Sequence, residues 1–195
     1  KKDLVSKGVK YIYSNWIDFL GSPKTKPMPI SDFEDLCSGK GPQFAVHSVS
    51  FVPELTPADN DQIPVPDLDS LVICPWDKTC AWVFADLWWN DKPYDVCPRQ
   101  TLKKQIHKNA KADLKFYVGI EPEFFLMKWE DGKPIKAIDN DPIPLRRQAY
   151  GYDAEYSIDG MNFLKEEIDM LNNDLHWDLH DVVAEGAYGQ YELDF

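Results

Sequence analysis

Between Gly119 and Leu126 the chain reads Gly-Ile-Glu-Pro-Glu-Phe-Phe-Leu. Phe116, Val118 and Ile120 alternate ahead of it, which predicts a strand from Lys115 to Ile120 running into this segment. Side chains two apart on a strand share a face. Glu121 and Glu123 therefore point one way, while Phe124 and Leu126 enter a core. Two adjacent carboxylates repel, and one stays protonated unless positive charge lies between them. A divalent cation with a preference for oxygen ligands meets that need. A Glu-x-Glu pair standing alone is most often the solvated face of an edge strand. Here the flanking Ile120, Phe124, Phe125 and Leu126 predict burial on at least one side.

A second acidic cluster runs from Glu185 to Phe195 and reads Glu-Gly-Ala-Tyr-Gly-Gln-Tyr-Glu-Leu-Asp-Phe. As a strand, Gln190 to Phe195 would set Gln190, Glu192 and Asp194 on one face and Tyr191, Leu193 and Phe195 on the other. Together the two clusters suit a carboxylate-lined metal site.

The 195 residues suffice for one large domain or two small ones, and 44% hydrophobic and 13% aromatic residues exclude general disorder. The net charge of −12, without a basic cluster, argues against nucleic acid and anionic membranes as partners. No apolar stretch is long enough to span a bilayer, and no leader is evident, so a cytoplasmic protein is expected. Cys37, Cys74, Cys80 and Cys97 lie far apart with no Cys-x-x-Cys, which reads as reduced thiols.

Strands are expected over Val9 to Asp18, Lys24 to Met28, Gln43 to Phe51, Ser70 to Cys74 and Thr79 to Trp88. Ser31 and Glu34 have capping-box spacing for a short helix ending near Gly39. The proline-rich stretch from Pro53 to Asp69 reads as a loop. Pro98 opens a helix to about Asn109 and marks a domain boundary. Asp131-Gly132 marks a hairpin. Phe163, Leu164, Ile168 and Leu171 give a helix over Met161 to Asn173 its core stripe. The class is α+β, divided into 1–97 and 98–195.

Several blocks, in order, resemble one family. Glu-Pro-Glu-Phe-Phe-Leu, and a Glu seven residues before the Glu of Gly-Gln-Tyr-Glu, resemble the catalytic core of the glutamine synthetase superfamily. Trp16-Ile17-Asp18-Phe19-Leu20-Gly21 with Lys24 to Pro29 is similar to its first hairpin. Cys74-Pro75-Trp76 with Ala81 to Asp86 is similar to a later one. Cys97-Pro98-Arg99 resembles the Asp-Pro-Arg segment that opens its catalytic domain. The short N-terminal region looks closer to glutamate–methylamine ligases and γ-glutamylpolyamine synthetases.

The resemblance implies an N-terminal β-grasp domain followed by the start of the catalytic α/β domain. It also implies a ligase that joins the γ-carboxyl of glutamate to ammonia or another amine through γ-glutamyl phosphate, using ATP and Mg²⁺ or Mn²⁺. Homo-oligomeric, dodecameric rings are the family's usual assembly. Glu123, Glu185 and Glu192 would hold the cation on the glutamate side and Glu121 the one beside the nucleotide, with Gln190 supporting the site. Members are longer, so a fragment inactive alone is expected, with no catalytic residue assigned within it. There are two departures. Ala184 stands where a His often precedes the second motif's first Glu. Ala45 stands where ammonia-using members carry an Asp, which favours a larger amine over ammonia. Two other readings remain open: a non-catalytic binding or regulatory module, and a carbohydrate-active protein with paired carboxylates.

Overall fold

The computed structural model describes residues 1–49, 55–137, 151–187 and 189–195. The chain packs as two compact units, Lys1–Lys115 and Phe116–Phe195. Both mix helix and sheet. No described helix is long and apolar enough to cross a membrane.

In the first unit, α1 (Lys2–Ser6) precedes the hairpin of β1 (Tyr11–Ile17) and β2 (Pro23–Pro29). Its turn is organised by the buried Asp18, whose Oδ1 accepts from the backbone N–H of Leu20 at 2.9 Å and of Ser22 at 2.8 Å. A 3-10 turn (Ile30–Asp32), α2 (Phe33–Cys37) and α3 (Val46–Val49) follow. Then come β3 (Ile63–Ile73), β4 (Cys80–Trp89), the short β5 (Lys92–Pro93) and α4 (Pro98–Lys111). The sheet order is β2-β1-β4-β3, with β5 beside β4. β1 and β4 run parallel, and the β1–β2 and β3–β4 pairs are antiparallel. One sheet face supplies Ile12, Met28, Ala81 and Val83 to a core closed by Leu4 of α1 and by Phe33 and Leu36 of α2. A second cluster gathers Trp16, Leu87, Tyr94 and Cys97, with Phe44 stacked on Trp16 at 4.3 Å.

The opposite face of β3 and β4 carries charge. Arg99 of α4 donates to Asp67 at 2.6 Å and to Asp86 at 3.1 Å. Lys103, one turn on, donates to the same two carboxylates at 3.1 and 2.6 Å. Arg99 also lies over the Phe84 ring, 5.6 Å from its centroid. Two conspicuous sequence residues, Asp86 and Arg99, thus meet in one joint between sheet and helix. Lys108 and Lys111 extend the basic run of α4, a local concentration hidden by the acidic total.

Three expectations are corrected in this unit. β3 begins at Ile63, inside the predicted proline loop. It is an edge strand, so the outer side of its ladder needs no N–H, and Pro64 and Pro66, two apart, both fit there. In the strand predicted from Gln43, only Phe44 pairs, with Gln62, before α3 begins. The predicted end of that strand at Phe51, and Pro53, lie outside the described residues. The capping box does not form. Ser31 Oγ donates to Asp32 at 2.7 Å, and Glu34 is taken by Lys1.

In the second unit, β6 (Glu123–Phe125), β10 (Gln190–Asp194) and β9 (Asp181–Ala184) form an antiparallel sheet in that spatial order. β7 (Met127–Glu130) and β8 (Lys133–Lys136) form a separate hairpin through Asp131 and Gly132, both at positive φ, as a two-residue hairpin turn requires. α5 (Ala154–Asp169), ending in a π turn (Met170–Asp174), covers the sheet. Asp153 caps it, accepting from the Glu155 N–H at 3.1 Å. Tyr156, Leu164, Ala184 and Tyr191 form the core. Gly160 allows this contact, because a Cβ there would fall 2.5 Å from the Tyr191 ring. Phe163 of the predicted stripe is exposed instead.

The segment from Lys115 to Ile120, predicted as a strand, is part of no described strand; at its end Phe195 N–H donates to the Ile120 carbonyl at 3.2 Å. Phe116, Val118 and Ile120 are 69%, 79% and 62% exposed, so the run before the Glu pair lacks the expected burial, whereas Phe124 and Leu126 pack against the core as expected. The apolar side of this run is largely exposed.

Candidate metal centre

Alternation along β10 divides its side chains. Tyr191 and Leu193 are buried, while Gln190, Glu192 and Asp194 are half-buried on the other face. The antiparallel register sets Glu192 opposite Glu123 of β6, and Asp194 opposite Asp181 of β9. Directly opposed residues project to the same side. Glu121 reaches the same face from the segment before β6, where the Leu193 N–H donates to the Pro122 carbonyl at 3.1 Å.

Glu185 follows β9 in a tight loop. Its N–H donates to the Gln190 carbonyl at 2.9 Å, and its Oε2 accepts from the Gly186 N–H at 3.0 Å. Gly189, at φ +79°, makes the return into β10 without a Cβ penalty. Gln190 Nε2 donates to Glu123 Oε2 at 2.6 Å, which fixes that carboxylate.

The electrostatics fit an all-oxygen cation site. Hydrogen bonding to Glu185, then burial, then the charges of Glu185, Asp194 and Glu123 push Glu192 up to about 7. Asp194 is raised by its hydrogen bond to Asp181 first, and Glu121 adds to the shift. Crowding by like charge and burial both favour the protonated carboxyl, and a cation among the groups would reverse the first effect. Among the described residues, no Lys or Arg pairs with Glu121, Glu123, Glu185 or Glu192. Ligand atoms of Glu121, Glu192 and Asp194 lie within 4.8 Å of one another, a spacing one ion can span, whereas the Glu123, Glu185 and Glu192 set expected from the resemblance is not brought that close among the described residues.

All four acidic positions expected from sequence thus lie on or beside this sheet, with Gln190 among them. Asp194 and Asp181 are additions. The period-2 pattern had already placed Asp194 on the correct face, whereas Asp181 shows only through the β9–β10 register. Ala184 faces the other way, into the core with Tyr156, Leu164 and Tyr191. Its side chain belongs to the packing.

The family model for the glutamine synthetase catalytic domain matches residues 95–195. The chain belongs to the glutamine synthetase family. Glutamine synthetase of Rhizobium meliloti (strain 1021) is 32% identical over 97% of this chain and 41% of its own length. Glutamate–methylamine ligase of Methyloversatilis universalis is 29% identical over 96% of the chain and 41% of its own. Among solved structures, an ADP complex of GmaS superposes with a TM-score of 0.80 at 28% identity, covering 100% of this chain and 43% of that one. The chain therefore spans about two-fifths of the length of the glutamine synthetase relatives it matches.

Proposed function

We propose that this chain is part of an ATP-dependent ligase that joins the γ-carboxyl of glutamate to an amine by way of γ-glutamyl phosphate. Its division is a β-grasp domain over 1–97 and the start of the catalytic domain from 98. The β2-β1-β4-β3 order, with a parallel central pair, supports the first assignment. The family match from residue 95 supports the second.

Glu123, Glu185 and Glu192 hold one divalent cation and Glu121 contributes to a second, Mg²⁺ or Mn²⁺ suiting oxygen ligands. When bound, such ions neutralise phosphate charge and polarise the acyl phosphate. The chain's own part is orientation. The Gln190 amide holds Glu123 Oε2, the β6–β10 ladder fixes Glu123 against Glu192, and the Glu185–Gly189 loop returns Glu185 to them. The observation that carries this reading is the Glu123–Glu192 pairing with Gln190 on one face.

The amine is larger than ammonia. Ala45, between the Phe44 bridge and α3, offers no carboxylate to select a small cation. A panel of ammonia, methylamine, ethanolamine and a polyamine, assayed with glutamate and ATP on the full-length protein, tests this. Ammonia as best substrate sinks the amine preference. No turnover with any amine, alongside intact metal binding, favours the non-catalytic module instead.

A further inference from the structure

Cys74 and Cys80 face each other across the mouth of the β3–β4 hairpin. Ile73 pairs with Ala81, so the next step of the antiparallel register sets Cys74 opposite Cys80. The Cys74 N–H donates to the Cys80 carbonyl at 3.0 Å. Opposed residues of such a pair project to the same face with Cβ atoms about 4.5–5.5 Å apart. A disulfide needs Cα atoms about 4.4–6.8 Å apart and Cβ atoms about 3.5–4.5 Å apart, a range a small adjustment reaches. Both thiols are free, 1% and 6% exposed. The intervening loop turns through Asp77, whose Oδ2 accepts from Cys80 Sγ at 3.3 Å. Trp76, in the same loop, stands edge-on to Trp82 with centroids 4.8 Å apart.

The other two cysteines lack this geometry. Cys97 Sγ accepts from the Leu87 N–H at 3.4 Å inside a different core cluster, and Cys37 is exposed on α2.

We propose that Cys74 and Cys80 form a reversible oxidation site, a dithiol that closes to one intramolecular disulfide across the hairpin in the presence of a hydroperoxide. The Cys80 sulfur attacks the peroxide O–O bond, giving a sulfenic acid at Cys80 and releasing the alcohol, or water from hydrogen peroxide. The Cys74 sulfur then attacks the Cys80 sulfur. Its proton leaves with the sulfenic hydroxyl as water, and the S–S bond forms. The two thiols give up two electrons and two protons in all, and the peroxide accepts both pairs. Burial, and then the neighbouring Cys80 sulfur, push Cys74 up to about 11. Closure is therefore slow at neutral pH and faster in alkali, because the thiolate is the nucleophile. The site is independent of the ligase reading. Its effect is to pin the loop that carries Trp76.

Peptide mapping of the native wild-type chain after hydrogen peroxide treatment tests this. Lys78 lies between the two cysteines, so trypsin cuts inside the loop and only a disulfide keeps the two peptides joined. The expected result is loss of two of the four thiols, a product that remains a single chain, a joined Cys74–Cys80 peptide pair, and full recovery with dithiothreitol. Four thiols still alkylated after unfolding would overturn the proposal. So would cross-linking between chains through Cys37, or sulfinic acid at Cys80 without a link. Cys74→Ala and Cys80→Ala should each abolish the joined peptides. The wild-type map decides alone if either variant fails to fold.

Discussion

Each unit gathers carboxylates on one face of a sheet, and the two clusters are balanced in opposite ways. In the first, Asp67 and Asp86 receive Arg99 and Lys103 from α4. Asp67 is held below the usual carboxylate range, first by the Lys103 hydrogen bond. In the second, Glu121, Glu123, Glu185 and Glu192 crowd together without a described Lys or Arg, and Glu192 rises to about 7. A cluster supplied with cations from the same chain is a structural joint. The cluster without a described partner is the one proposed above to take a cation from solution. Sign and count of acidic residues do not separate these cases, whereas the provenance of the counter-ion does.

The sharpest way to break the contrast is Glu192→Gln. Manganese binding to the chain, followed by calorimetry, should weaken by at least ~100-fold, the upper end of losses seen when mere supporting residues are changed. Unchanged affinity would show that the second cluster is not a cation site. Gly160→Ala comes next. It drives a methyl into the Tyr191 ring beneath the cluster, and urea unfolding should show a loss of about 1–3 kcal/mol. Arg99→Ala should cost the first unit about 1–2 kcal/mol, since the joint is partly solvated and Lys103 remains. Arg99→Lys should recover little, because an ammonium cannot reproduce a planar fork reaching two carboxylates.

A pH series is gentler. Asp67 has a depressed pKa, so its stabilisation is full above the unfolded carboxylate value of about 3.9 and drains away as pH falls below it. Lys103 is raised, chiefly by its hydrogen bond to Asp86. Its contribution is full below about 10.4 and is lost as pH climbs through the folded value. Thermal melts of Asp67→Asn should show a shallower acid limb than wild type, and an identical limb would remove Asp67 from the joint. Ser31→Ala should be the smallest change, within about 0.5 kcal/mol, because no cap is lost.

What could be read from sequence follows from how local the cause is. The β1–β2 hairpin, the Pro98 helix start, the Asp131-Gly132 turn and the two faces of β10 each rest on a few neighbouring residues, and each is present. The errors arose where the cause is remote. Pro64 and Pro66 look like loop residues until β3 is known to be an edge. Glu34 looks like a capping residue until Lys1 claims it. Phe116 and Val118 alternate like a buried strand, yet both stay largely exposed. At the site, the acidic and amide positions were legible as motifs. The Gln190–Glu123 bond and the Asp194–Asp181 pair were not, because each depends on register between strands far apart in sequence.

The parallel pairing of β1 with β4 also sets an order of events. Tyr11 and Ile12 must find Cys80 and Ala81, so the centre of the first sheet closes only after a long stretch of chain has been made. Non-local pairing of this kind slows folding, since loop entropy is lost before contacts are gained. During synthesis, β1 emerges with β2 on one side and an open row of backbone donors and acceptors on the other. Until Cys80 to Phe84 leave the ribosome, that edge stays open to wrong partners, and β4 is the segment that closes it.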